Sequence, residues 1–120
     1  MESLKLRDKE MVQNTIEKIK EKIRTNNSIT PNGKTELLSL LARLESEMTI
    51  FSEALPEHAE SIAGFMERST HEAMRREKNP DLLKFAVGGL SASVKGFEVS
   101  HPQLVENVNY IANALANMGI

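Results

Sequence analysis

The residues of this 120-residue chain with the clearest capacity for chemistry are three histidines and the carboxylates near them. Glu60, Glu67 and His71 fall at i, i+7 and i+11, so on a helix they share one side. Three such donors are a set that could hold a divalent metal. The carboxylate-bridged di-metal bundles, however, aim their ligands inward from paired helices, whereas Glu60, Glu67 and His71 face away from Ile62 and Phe65. A solvated face is the simpler expectation, with this trio kept as the one metal candidate and no cofactor expected.

The other two histidines suggest still less. His101 precedes the last expected helix in the run Ser100-His101-Pro102-Gln103. It could act as a proton donor or ligand, but shaping the turn, through a neighbouring carbonyl or by packing on Phe97, explains it as well. His58 follows Pro56-Glu57 and reads as a surface residue in the first turn of a helix. There is no Cys, which excludes thiolate nucleophiles, disulfides and thiolate metal sites. No Gly-x-Ser-x-Gly is present, and Gly88-Gly89 lacks the Lys-Ser/Thr of a phosphate-cradling loop. No catalytic constellation emerges, and a non-enzymatic role is expected.

Charge narrows the partners. The net charge is −2 and the pI is near 5.9, which argues against a general nucleic-acid binder. No apolar run approaches the ~20 residues of a membrane span, and the charged N-terminal stretch does not read as a signal peptide. The expectation is a soluble cytoplasmic protein. Of the charged residues only five, Asp81, Lys84, Lys95, Glu98 and Glu106, lie in 81–120. So neutral a surface suits a subunit contact, since charge is depleted at interface centres.

The elements that must position these residues are helices. Val12, Ile16, Ile19 and Ile23 form one seam with steps of four and three. Leu37, Leu41, Leu44, Met48 and Phe51 form a second. Leu83, Val87, Leu90, Val94 and Phe97 form a third, and Leu104, Val108, Ile111, Leu115 and Met118 a fourth. Each row lies on one side of a helix and must be buried against another. The first helix is expected over 3–25. The second follows Thr30 as N-cap with Pro31 in its first turn and ends or kinks at Pro56. A third over 57–78 carries a weaker apolar side (Ile62, Phe65, Met66, Ser69, Ala73) and buries little per turn. Asn79-Pro80 restarts the chain for a fourth helix reaching Phe97. Ser100 and Gln103 read as a capping box for the fifth, with Gly119 as its terminator. Gly89, Ser93 and Gly96 make a line of small residues beside the third seam. Adjacent Gly88 and Gly89 inside a helix each cost about 1 kcal/mol relative to alanine, so either the helix breaks there or another backbone approaches closely, and the intact seam on both sides favours the approach.

The segment from Gly96 through Ser100-His101-Pro102 to Met118-Gly119-Ile120 resembles the C-terminus of a family of short uncharacterised bacterial helical proteins. Those chains look like a helical hairpin, a helix, a Ser-His-Pro turn and a final helix closing on Met-Gly-Ile. The resemblance extends to the hairpin of residues 4–50, leaves 52–79 looking like extra length, and implies a bacterial, helical, cytoplasmic protein without supplying an activity.

These readings predict one all-α domain over 1–120, with four or five mostly antiparallel helices. The hairpin of 3–51 packs on a C-terminal pair over 80–120, with 52–79 as an extra helical segment. The expected role is self-association, as a homodimer or with another helical protein. Val87, Val94, Ile111 and Leu115 would form the apolar centre, and Gly89, Ser93 and Gly96 would set the contact distance. Metal binding at Glu60, Glu67 and His71 is one alternative. The other is peripheral membrane or partner-helix binding by the amphipathic hairpin.

Overall fold

Every proline in the chain opens a helix. A computed structural model describes the backbone of residues 2–118 and the side chains of residues 9–118. Its helices are α1 (Glu2–Thr25), α2 (Pro31–Ala54), α3 (Pro56–Ala73), α4 (Pro80–Ser93) and α5 (Pro102–Met118). Proline suits the first helical position because its φ is preset and its missing N–H would be unpaired there anyway. Thr30 and Asn79 complete two of these starts: Thr30 Oγ1 accepts from Gly33 N at 3.1 Å and Asn79 Oδ1 from Leu82 N at 3.1 Å. At Leu55-Pro56 the chain breaks rather than kinks, and Leu55 closes α2 while opening α3. Gly119 lies outside the described residues.

The chain is all-α, with no strand among the described residues. Most of the seam residues are buried: all of Val12 to Ile23 and Leu37 to Phe51, then Leu83, Leu90 and Val94, and Leu104 to Leu115. They form one connected apolar core, with Val87, Phe97 and Met118 half-buried at its edge. α1 and α2 form the expected hairpin. It is pinned at the turn by Asn26 Oδ1, which accepts from Ser28 N at 2.8 Å, and by Lys34 Nζ, which donates to Arg24 O at 2.9 Å. Along its length, Lys20 pairs with Glu45 and Lys9 with Glu53 at 2.8 Å.

α3 departs most from the sequence expectation. Far from burying little, it touches all four other helices, whereas α1 touches only α2 and α3 among the described elements. Among the described residues the hairpin meets the C-terminal pair only through α2 on α5, and α3 fills the space between. Its buried side is Ala59, Ile62, Ala63, Met66, Ser69, Thr70, Glu72 and Ala73, mostly small or polar residues. The Ser69 and Thr70 hydroxyls donate to the carbonyls of Phe65 (2.7 Å) and Met66 (2.9 Å), so burying them leaves no donor unpaired.

Three boundaries also move. α3 stops at Ala73 instead of reaching 78. α4 stops at Ser93, four residues short of Phe97, because Gly96 adopts φ +97° and turns the chain back. The capping box at Ser100 does not form. Ser100 Oγ instead lies 3.0 Å from His101 Nδ1, and the last helix starts at Pro102.

Candidate functional site

The metal trio does not assemble. Among the described residues no three His, Asp or Glu side chains stand close enough together to hold an ion. His71 is exposed and lines a hollow with Lys22 and Arg75, neighbours that repel a cation. The sequence reading passed over Glu98-Val99-Ser100-His101, a Glu-x-x-His spacing. The structure places it in a turn, with Glu98 Oε2 accepting from Gly96 N at 2.8 Å and His101 engaged by Ser100.

His101 builds the fold instead. Its ring meets Phe51 edge-on with centroids 5.0 Å apart, Phe51 meets Phe97 at 5.1 Å, and His58 covers the far side of Phe97 at 5.2 Å. This aromatic group holds the α4–α5 turn against the end of α2.

The seven residues expected at a subunit contact divide into two sets. Val94, Ile111 and Leu115 are buried in the protomer's own core, so a second copy could reach them only by unpacking it. Val87 is half-buried against that core. Gly89, Ser93 and Gly96 line a surface groove between α3 and α4 together with His58, Phe65 and Phe97, although Gly96 sits in the turn rather than on the helix. The close approach foreseen at Gly89 exists, but it is made by a ring and not by a backbone. A Cβ at Gly89 would stand 2.4 Å from Phe65 Cε1. At Gly88 nothing lies within 4 Å of such an atom.

The residue that the sequence reading missed is Phe85. It stands 76% exposed on α4, flanked by Leu82 at 38% and by Phe65, on α3, at 42%. Asp81, Lys84, Phe85, Gly88 and Gly89 surround a shallow hollow that adjoins the α3–α4 groove at Gly89. One helix face therefore carries a protruding ring, a depression floored by glycine, and one charge of each sign. The signal was present as positions 82, 85 and 89, an i, i+3, i+7 row lying beside the chosen seam.

The family profile of a domain of unknown function (DUF4404) matches residues 37–120. The chain belongs to that family. The DUF4404 match takes in α3 through α5 and α2 from Leu37 onward, including the 52–79 segment that looked like extra length, and leaves α1 and the start of α2 outside. No curated protein and no solved structure matches the chain. Among the described residues no helix is long and apolar enough to cross a membrane.

Proposed function

We propose that this chain is a non-enzymatic interaction module that self-associates through the outer face of α4, as a two-fold dimer. The observation that carries the reading is Phe85, an exposed aromatic ring beside the hollow over Gly88 and Gly89. A two-fold contact is self-complementary: whatever one copy projects, the other must receive. When two α4 helices cross antiparallel, each Phe85 enters its partner's glycine hollow, while Leu82 and Phe65 extend the apolar patch. A buried aromatic anchor ringed by polar groups is the usual energetic centre of such a contact.

Mass measurement across a dilution series tests this. Wild type should pass from dimer to monomer on dilution, and Phe85→Glu should be monomeric throughout with unchanged helicity. A wild-type chain that stays monomeric at the highest concentration, or a dimer indifferent to Phe85→Glu, refutes the reading.

A further inference from the structure

A second feature shares no lining residue with the α4 face. Where the α1–α2 turn, the start of α2, the end of α3 and the end of α5 meet, the surface opens into a cleft of about 390 Å³. That volume falls within the ~300–1,000 Å³ of small-molecule sites. Its charged wall residues are Arg75, Arg76 and Lys78. An adjoining hollow shares Arg75 and adds Lys22 and His71. Among the described residues no carboxylate lines either one, although the chain as a whole is acidic.

One carboxylate lies beneath the wall. Glu72 is buried and takes Arg75 Nη1 at 3.0 Å, which fixes the guanidinium in the wall. Lys78 Nζ donates to Ala73 O, which anchors the ammonium at the end of α3. Arg76 is exposed. Opposite these cations, Thr30 and Gly33 bring in the start of the 24-residue helix α2, whose first turn holds no acidic residue. Its positive end adds to the same field. The remaining wall joins the polar Asn26 and Ser28 to an apolar stretch of Ile29, Ala73, Met74 and Met118.

The geometry points to a binding site for a small phosphomonoester that carries an apolar group. The phosphate faces the guanidinium and ammonium groups that follow α3 and the amino end of α2, and the apolar group lies on Ile29, Met74 and Met118. Planar guanidinium forks and helix N-termini are the groups that recognise phosphate oxygens. Simple screening of surface charge would not need three cations gathered in one concave wall.

The test is a titration of the isotope-labelled full chain with phenyl phosphate, followed by amide NMR at constant ionic strength. The amides of Gly33, Met74 and Arg76 should shift together and saturate. Inorganic phosphate should move the same signals with weaker affinity, and phenol should move none of them. Arg76→Ala/Lys78→Ala should bind phenyl phosphate about tenfold more weakly, as loss of two solvent-screened ion pairs implies, with helicity unchanged. Lys84→Ala, on the α4 face, should bind as wild type does. Shifts that scatter or never saturate, or equal affinity in the double variant, overturn the site. So does co-sedimentation with phosphatidylglycerol vesicles by a protein that ignores phenyl phosphate.

Discussion

At Gly89 the ring of Phe65 occupies the space a side chain would need, so the two residues behave as one unit. Alanine normally improves a helix over glycine by about 1 kcal/mol. Gly64, on α3, has nothing within 4 Å of an added Cβ, and Gly64→Ala should stabilise the protein by about that amount. Gly89→Ala should not, because the new carbon would stand 2.4 Å and 2.5 Å from two Phe65 ring carbons. The ring must leave its seat, and overpacking of this kind costs about 1–3 kcal/mol. In a Phe65→Ala background the obstacle is gone, and Gly89→Ala should become stabilising. Urea unfolding at concentrations where the chain is monomeric completes the cycle. A Gly89→Ala gain equal in both backgrounds would show that the ring does not matter. The adjacent glycines correctly signalled a close approach. They could not signal which group approached, because Phe65 looked like one more member of α3's inner side.

At the scale of the helix, two carboxylates pull stability in opposite directions with pH. On α3, Glu72 is only 1% exposed. The hydrogen bond from Arg75 holds its carboxyl below the ordinary 4.5, with help from the charges of Arg75, Arg68 and His71 and against the effect of burial. A depressed acid stabilises the fold above pH 4.5, and that contribution is lost as pH falls through the folded-state value. On α2, burial pushes Glu47 above 4.5. The charge of Glu106 adds to this, and the Asn107 amide at 3.2 Å opposes it. A raised acid favours the fold only while protonated, and that advantage disappears as pH rises through the raised value. Glu72→Gln should therefore lower the urea midpoint at pH 7 and lower it by less at pH 3.5. Glu47→Gln keeps an acceptor for Asn107 without the charge, and should raise the midpoint at pH 7. Midpoints that shift equally at both pH values would separate these effects from ionisation. The sequence showed the four seams because Leu, Ile and Val mark burial by themselves. It did not show α3's central place, because Ala59, Ala63, Ser69, Thr70 and Glu72 are buried through partners that hydropathy does not register. The exposed Phe85 was hidden by the same logic: a seam marks what is covered, and a lone ring outside it carries no pattern.

For the whole molecule, the position of α3 sets how the structure comes apart. A radius of gyration of 13.8 Å matches the ~13.6 Å of a compact chain of this length. α1 and α2 on one side, and α4 and α5 on the other, share α3 as their common neighbour. If the hairpin and the C-terminal pair were independent, each could melt alone. With α3 between them, loss of either side strips apolar cover from the same helix, so the two sides should unfold together in one transition. The chain supplies its own probe: it has no Trp and a single Tyr, Tyr110, on α5. Tyr110 fluorescence therefore follows the C-terminal pair, while far-ultraviolet circular dichroism follows all five helices. The two urea curves should coincide in wild type. They should also coincide in Met66→Ala, which opens a cavity at the centre of α3 and should cost about 2–5 kcal/mol. Curves that separate, with Tyr110 reporting one midpoint and helicity another, would show that α1 and α2 form a unit of their own and that α3 does not join the halves.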